Sequence, residues 1–333
     1  MSRARCTARP FTGGLTTPGT VFEITKTGTE TVLHSFGASG EGVQPEAALI
    51  SVKGTLYGTT SGGGANGSGT VYSITPGGTE KALYSFPGSV YGNGVPVAGL
   101  IDVDGTLYGT TKGNGYSSGM VFSITTGGNL KVLHRFGKGH DGAFPAAALL
   151  DVNGTLYGTT AGGGKYGRGT VFSVSTAGKE QVLYSFGASG FFDGTSPLSP
   201  LIDVHGTLYG TTMQGGAHGQ GGAVFSMTTG GTENLVFSFD GSHGSQPLAG
   251  LIDVKGMLYG TTSVGGVKNV GTAYSTTTSG EEQVLHSFGK GTDGQSPRAS
   301  LVEVHGMLYS TTYNGGTNHP RSGGDGTVFA LTP

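Results

Sequence analysis

The 333-residue chain has 68 glycines, a formal net charge of −2, 35% hydrophobic residues and only 11% charged residues. Disordered chains combine low hydrophobicity with high charge, and collagen repeats glycine at every third position, so the composition excludes both classes. Abundant glycine instead predicts an all-β protein with many tight turns, because glycine adopts the positive φ angles that such turns need.

Charge and hydropathy exclude further classes. No run of Lys or Arg exists, so no nucleic-acid partner is expected. No stretch approaches about eighteen apolar residues, so no membrane span is expected. Cys6 is the one cysteine, which excludes an internal disulfide. Because the basic segment Met1–Pro10 is not followed by an apolar core, we expect no complete signal peptide in this chain.

In chain order, residues 1–18 are predicted to be irregular, and a repeat of about fifty residues follows. Each repeat holds an apolar run after a proline, then LYGTT (LYSTT in the sixth), then GTVF or a close variant and, in the first five, a run like VLHSF. The tyrosines of this second run mark the six repeats at Tyr57, Tyr108, Tyr157, Tyr209, Tyr259 and Tyr309. These runs are rich in Val, Ile, Tyr, Phe and Thr and lie between Gly and Pro clusters, which predicts four strands a repeat and no helix.

Two-residue links ending in glycine, such as Lys53-Gly54 and Asp104-Gly105, join the first and second strands. Such a link predicts a type I′ hairpin. Four antiparallel strands in each fifty-residue repeat are typical of a β-propeller blade, whereas a β-solenoid usually has shorter rungs. We therefore predict a single six-bladed β-propeller over residues 19–333. Its predicted blades lie at about 46–86, 97–137, 146–187, 198–239, 248–289 and 298–331.

Strand counting predicts how the ring closes. The last repeat lacks a fourth strand of its own, and Val32–Phe36 can supply it, which would remove an exposed sheet edge. Third strands occur once too often for six blades, so one of those at Gly19 and Gly326 is surplus. We therefore expect N-terminal strands within 19–36 to join the last blade.

The pattern LYGTT-x-GGG…GTVFSIT…VLYSF…P-x-A-x-LIDV-x-G resembles the Gloeobacter–Verrucomicrobia (GloVer) bacterial tandem repeat from Gly19 onwards. The similarity to kelch propellers is looser, and the absence of Trp argues against WD40 repeats and the sialidase Asp-box. The resemblance implies a secreted or cell-surface protein of bacteria and carries over no catalytic residue. Family members often end in an anchor, which we do not expect after Pro333.

Residues that break the repeat in the longer loops are better functional candidates than repeated ones. Six aromatic residues do so: Tyr91, Tyr116, Phe144, Tyr166, Phe191 and Phe192. Exposed aromatics beside polar groups suit stacking on sugars or on a peptide. In the alternative interpretation they only cover loop backbone. We expect them to lie close together on the long-loop face and to bind a glycan or protein ligand.

Acidic residues before the hairpin turns form a second candidate set: Asp102, Asp151, Asp203, Asp253 and Glu303. Together they could hold Ca²⁺, or each could accept N–H bonds from its own turn. No other cofactor is expected. His34, His134 and His286 occupy a position that is Tyr or Phe in other repeats, which indicates packing.

Asp141, Asp193 and His140 lie in the loops from the fourth strand to the next first strand. Asp-Gly before a proline is first of all a turn signal, but paired carboxylates can also perform acid–base chemistry. Three hypotheses follow: a non-catalytic glycan- or protein-binding module, a glycan-active hydrolase or lyase with carboxylates near the ring centre, and a purely architectural spacer. We favour the binding module and expect a monomer.

Overall fold

The structure is a computed structural model that describes residues 3–8, 18–25, 29–88, 94–114, 117–317 and 326–333. Within these ranges the chain forms strands and turns and no helix. No helix that could span a membrane therefore occurs in the described part of the chain. The predicted fold class, an all-β propeller of four-stranded antiparallel blades, is confirmed, with six four-stranded sheets among the described residues.

The strands follow the repeats in chain order. The N-terminal sheet contains β1 (Arg3–Ala8), β2 (Thr20–Thr25) and β3 (Glu30–Ser35). The short strand β4 (Gly42–Val43) precedes blade 1, which contains β5 (Ile50–Val52), β6 (Thr55–Thr60), β8 (Thr70–Ile74) and β9 (Glu80–Ser85), with the short β7 (Gly62–Gly63) between β6 and β8. Blade 2 contains β10 (Ile101–Val103), β11 (Thr106–Asn114), β12 (Ser117–Thr125) and β13 (Leu130–Arg135).

The short strand β14 (Gly142–Ala143) precedes blade 3, which contains β15 (Leu150–Val152), β16 (Thr155–Thr160), β18 (Thr170–Ser175) and β19 (Glu180–Ser185), with the short β17 (Gly162–Gly163) between β16 and β18. Blade 4 contains β20 (Ile202–Val204), β21 (Thr207–Thr212), β22 (Ala223–Thr228) and β23 (Glu233–Ser238). Blade 5 contains β24 (Ile252–Val254), β25 (Met257–Thr262), β26 (Thr272–Thr277) and β27 (Glu282–Ser287). Blade 6 contains β28 (Gly294–Pro297), β29 (Val302–Val304), β30 (Met307–Gly315) and β31 (Val328–Leu331).

Among the described residues, the strands at each end of the chain pair locally, and the closure of the ring by N-terminal strands stays a prediction. Strand β3, which holds most of Val32–Phe36, pairs with β2, its neighbour along the chain. In blade 6, β28 pairs with the far part of β30, as β4 pairs with β7 and β14 with β17 earlier in the chain. A partner across a short connection costs less closure entropy than a distant one, which favours the pairing of β3 with β2.

Residues 1–18 were predicted to be irregular, but Arg3–Ala8 within them is a strand. This segment forms β1 and pairs along its whole length with β2, from Arg3 opposite Thr25 to Ala8 opposite Thr20. It takes the place that LYGTT has in the blades. The physical reason is that the N–H and C=O groups on that edge of β2 need partners.

Cα positions divide the chain into two compact units, one of residues 1–157 and 173–181, the other of residues 158–172 and 182–333. Within each unit the apolar core lies between successive blades. In the first unit, Val71 and Phe86 of blade 1 pack with Leu107 and Phe122 of blade 2. The second unit repeats this arrangement in blades 4 and 5.

The predicted hairpins are confirmed by backbone angles. Asp104 and Gly105 have φ of 52° and 80°, and Lys53 and Gly54 have φ of 49° and 84°. Two successive positive φ angles define the type I′ turn, which twists in the same sense as its strands. The LYGTT strand therefore follows the first strand directly in each blade.

The glycine of LYGTT makes room for an aromatic ring of the third strand. A Cβ on Gly109 would lie 2.7 Å from Cζ of Phe122 and 2.8 Å from Cδ2 of Leu100. A Cβ on Gly58 would lie 2.6 Å from the hydroxyl oxygen of Tyr72. Gly210 and Gly260 face Phe225 and Tyr274 in the same way. Each such ring is fully buried, so even alanine at these glycines would displace the core.

The same rings receive a phenylalanine from the preceding sheet. The centroids of Phe86 and Phe122 lie 5.4 Å apart in an edge-to-face arrangement, and those of Phe36 and Tyr72 lie 5.0 Å apart. The pairs Phe186–Phe225, Phe239–Tyr274 and Phe288–Phe329 repeat this contact at 5.2, 4.9 and 4.9 Å. Edge-to-face pairs add about 0.5–1.5 kcal/mol each beyond their buried area.

The two threonines of LYGTT bond in opposite directions. Thr59 donates through Oγ1 to the carbonyl of Ala98 in blade 2 at 2.8 Å. Thr60 and Thr70 share a hydrogen bond of 2.9 Å within blade 1. One threonine therefore connects a blade to the next, and the other connects the second strand to the third.

Tyr72 and Tyr274 each bury a hydroxyl group that has no hydrogen-bond partner among the described residues. Phe122 and Phe225 occupy the same position in blades 2 and 4. A buried unpaired polar group costs about 1–3 kcal/mol, so Tyr72→Phe and Tyr274→Phe are each expected to raise the free energy of unfolding by about 1 kcal/mol or more. Urea unfolding measures the change.

The reciprocal variant Phe122→Tyr is the control, because it adds a hydroxyl group to a ring that is already fully buried. It should lower the free energy of unfolding. A loss of stability in both Tyr→Phe variants would mean that these hydroxyl groups have favourable interactions in the folded protein.

Candidate ligand-binding surface

The structure describes four of the six candidate aromatic residues, while Tyr91 and Tyr116 lie outside the described residues. Exposed fractions are 39% for Phe144, 43% for Tyr166, 47% for Phe191 and 64% for Phe192. Tyr166 lies in the second-to-third loop of blade 3, and Phe191 and Phe192 lie in the connection to blade 4. All four rings are therefore available to solvent.

The loop that carries Tyr166 has a close counterpart in blade 1. Gly169 donates its N–H to the carbonyl of Gly163 at 3.2 Å, and Gly69 donates to Gly63 at 3.1 Å. In sequence the loops from Gly62 to Gly69 and from Gly162 to Gly169 differ at only three positions, at which Ala65, Asn66 and Ser68 correspond to Lys165, Tyr166 and Arg168. One backbone thus carries small residues in blade 1 and large ones in blade 3.

These larger side chains meet the connection to blade 4. The guanidinium carbon of Arg168 lies 3.8 Å from the ring centroid of Phe191. Arg168 also donates to the carbonyl of Gly190. A Cβ on Gly187 would lie 2.8 Å from Cδ of Arg168 and 3.0 Å from Cβ of Tyr166, so glycine is needed there.

Together these residues form what we call the aromatic–cation patch: Lys165, Tyr166, Arg168, Phe191 and Phe192. The Nζ of Lys165 lies 5.3 Å from the ring centroid of Tyr166. Such rings can stack on flat apolar surfaces, and the two cations can pair with an anion beside them.

Asp193 fixes the loop that presents the two phenylalanines. Its side chain is buried, and Oδ2 accepts the N–H groups of Gly187 at 2.9 Å and Ala188 at 3.1 Å and the Tyr184 hydroxyl at 2.8 Å. Ordering a loop before binding lowers the entropy cost of association.

Asp141, the other carboxylate predicted for acid–base chemistry, contacts Nε2 of His134 at 3.0 Å, while His140, the third candidate of that set, is exposed. Glu41 accepts the N–H groups of Gly37 and Ala38 at 3.0 Å each, as Asp193 does for its own loop. In more than one repeat the loop acid therefore holds its own loop by accepting backbone N–H groups. An acid–base role for Asp141 and Asp193 stays a prediction.

The acids before the hairpin turns are exposed. Asp151 and Asp253 accept the N–H of Gly154 at 3.0 Å and of Gly256 at 2.9 Å, and Glu303 accepts that of Gly306. Asp102 and Asp203 have the same place in blades 2 and 4. These acids therefore accept N–H bonds from their own turns, which was the alternative to Ca²⁺ binding. A Ca²⁺ role stays a prediction.

The histidines pack as the sequence indicated and also pair with loop acids, which sequence reasoning missed. His134 lies edge-on to Phe136 with centroids 4.8 Å apart, and His286 lies 4.8 Å from Phe288. His286 also contacts Asp293 through Nε2 at 2.8 Å. A histidine and an acid seven residues apart in the sequence could have indicated this pairing.

A row of partly buried glutamates at the start of the fourth strands was also missed. Burial and the nearby charge of Glu41 raise the pKa of Glu80 to about 7. Burial and Asp193 raise the pKa of Glu233 to about 7. Burial likewise raises the pKa of Glu282 to about 7. The recurrence of Glu at one position of the repeat was the available signal.

These shifts predict that the protein loses stability as the pH rises from about 4.5 to about 7. An unfolded Glu has a pKa of about 4.3, so in this window the folded state holds protons that the unfolded state has lost. The raised pKa of His243, hydrogen-bonded to Asp240, acts in the same direction. Urea unfolding at pH 5 and pH 8 measures the difference.

The triple variant Glu80→Gln, Glu233→Gln and Glu282→Gln should flatten this pH profile, because an amide does not titrate. If the unmodified chain were as stable at pH 8 as at pH 5, or more stable, the predicted loss of stability with rising pH would be wrong.

The fold and the repeated blade define a β-propeller repeat protein. A model of the Gloeobacter/Verrucomicrobia repeat matches residues 11–221 and 197–333. The chain therefore belongs to the Gloeobacter/Verrucomicrobia repeat family. Among proteins of curated function, none matches its sequence.

Three solved structures illustrate the similarity of fold. Virginiamycin B lyase from Staphylococcus aureus is 13% identical with a TM-score of 0.62, covering 100% of this chain and 99% of its own. A gluconolactonase from Xanthomonas campestris is 13% identical with a TM-score of 0.51, covering 98% of this chain and 100% of its own. Puromycin hydrolase is 11% identical with a TM-score of 0.58, covering 99% of this chain and 51% of its own. At such identities the similarity shows the fold alone.

Proposed function

We propose that the protein is a non-catalytic binding module that recognises a glycan through the aromatic–cation patch. The observation that carries the proposal is the stacking of Arg168 on the exposed ring of Phe191, with the exposed Tyr166 beside Arg168 at Gly187 and the exposed Phe192 next in the sequence. The family resemblance supports a place at the surface of a bacterial cell, where glycans are abundant. A protein ligand at the same patch is the alternative outcome.

The energetics favour a binding role for Phe192. A phenylalanine gains about 1.5–3 kcal/mol when it is moved from water into an apolar contact. At 64% exposure Phe192 forgoes most of that gain in the chain alone. A sugar face stacked on the ring would recover it without rearrangement of the loop, because Asp193 already holds the loop backbone.

The charge of the patch narrows the class of glycan. Lys165 and Arg168 contribute two cations, whereas Asp193, the nearest acid in the loop, is turned inward and buried. Arg168 leaves part of its guanidinium group available beyond its bond to Gly190, since arginine has five N–H donors. The proposed ligand is therefore a polysaccharide with carboxylate or sulfate groups.

Blade 1 offers a matched variant for the test. Lys165→Ala, Tyr166→Asn and Arg168→Ser together convert the blade 3 loop into the blade 1 sequence on the same backbone. The unmodified chain is expected to bind acidic glycans on an array, and the triple variant should bind at least tenfold more weakly with an unchanged Tm. Phe192→Ala should also weaken binding.

Val267→Ala is the control, because Val267 is 77% exposed in the corresponding loop of blade 5 and lies outside the patch. It should bind like the unmodified chain. Absence of binding to every glycan, or equal binding by the triple variant, would overturn the proposal.

A further inference from the structure

A second cluster of side chains, in the first compact unit, has the composition of a metal site. His134 comes from the fourth strand of blade 2, Asp141 from the loop after it, and Glu180 from the start of the fourth strand of blade 3. One ligand atom from each lies within 4.8 Å of the other two. Among the described residues, no other group of three His, Cys, Asp or Glu side chains brings its ligand atoms within 4.8 Å of one another.

The two carboxylates of this cluster each leave an oxygen without a partner. The Asp141 side chain is only 9% exposed, and its Oδ1 accepts no hydrogen bond from the described residues, although Oδ2 contacts His134. Oε1 of Glu180 is also buried and without a hydrogen-bond partner there. Oδ1 of Asp193 and Oε1 of Glu233 are buried without a partner in the next blade as well, so the added imidazole of His134 is what suits this cluster to a cation.

We propose that His134, Asp141 and Glu180 bind a divalent transition-metal ion of the Zn²⁺ type. One imidazole nitrogen and two carboxylate oxygens are ordinary ligands of Zn²⁺, and water can complete the tetrahedron. Ligands bound at about 2.0–2.1 Å in a tetrahedron lie roughly 3.3 Å from one another. The separation of 3.0 Å between Nε2 of His134 and Oδ2 of Asp141 is close to that value.

The chemistry of the ligands distinguishes this ion from Ca²⁺. Calcium takes about six to eight oxygen ligands, and the cluster supplies one nitrogen and two carboxylate groups. Imidazole, by contrast, suits Zn²⁺ and its neighbours among the divalent transition metals. The nitrogen ligand is therefore decisive, and its loss should abolish the site.

The corresponding cluster of the next blade has no histidine and shows which contacts form in its absence. There Tyr184 stands in the place of His134, and its hydroxyl donates to Asp193 at 2.8 Å. Glu233 takes the place of Glu180, and burial and the charge of Asp193 raise its pKa to about 7. The blade 3 strand thus accommodates tyrosine at this position, which makes His134→Tyr a substitution that the fold already accepts.

Blade 1 and its preceding sheet contain a similar set, His34, Glu41 and Glu80, with a different geometry. Glu41 directs Oε2 to the N–H groups of Gly37 and Ala38, and its Oε1 lies 3.4 Å from Nε2 of His34. The ligand atoms of this set do not all lie within 4.8 Å of one another, as those of His134, Asp141 and Glu180 do. One equivalent of metal is therefore expected for each chain.

Isothermal titration of the metal-free full chain with Zn²⁺, and separately with Ca²⁺, tests the proposal. One equivalent of Zn²⁺ should bind and raise the Tm, and Ca²⁺ should bind at least tenfold more weakly. His134→Tyr and Glu180→Gln should each weaken Zn²⁺ binding at least tenfold, and each should keep the circular dichroism spectrum of the unmodified chain.

The control is His140→Ala, because His140 is exposed and lies six residues after His134. It should bind Zn²⁺ like the unmodified chain. Unchanged Zn²⁺ affinity in Glu180→Gln and His134→Tyr, no binding to the unmodified chain, or tighter binding of Ca²⁺ than of Zn²⁺ would each overturn the proposal.

Discussion

Blades 1, 2, 4 and 5 depend on one steric constraint, the fit of a third-strand aromatic ring over the glycine of LYGTT. With a Cβ at Gly109, the ring of Phe122 would have to move, and with it the edge-to-face contact to Phe86 of the preceding blade. Glycine in a strand interior is normally unfavourable by about 0.5–1 kcal/mol. Here that cost is offset by close packing between the sheet and a buried ring, and the same packing occurs at Gly58, Gly210 and Gly260.

Because the blades share this packing, their loops can differ without disturbing the core. The loops of blades 1 and 3 show this directly, since one backbone holds Asn66 in the former and Tyr166 in the latter. The fourth strands likewise keep their packing while their polar contacts differ. His134 and Tyr184 both pack edge-on to a phenylalanine but bond differently to their loop acids. Both proposed sites arise from such differences.

The sequence predicts the blades well because their information is local and repeated. Runs of Val, Ile, Tyr, Phe and Thr and X-Gly turns need only a few neighbouring residues, and Asp104-Gly105 has the expected positive φ angles. Strand β1 was not predicted because it lacks the repeated pattern, and its pairing depends on a sheet edge that appears only in the folded chain. The meeting of Arg168 with Phe191 and of His134 with Glu180 likewise depends on contacts between separate strands and loops.

Repeated residues build the blades, and irregular loop residues are proposed to bind the ligand. Ring-selective ¹³C labelling of the 16 phenylalanines, followed by NMR titration with an acidic glycan bound on the array, tests this division of roles. The resonances of Phe191 and Phe192 should shift together on binding, while those of the buried Phe122 and Phe225 should stay unchanged. Shifts confined to other phenylalanines, with Phe191 and Phe192 unaffected, would contradict it.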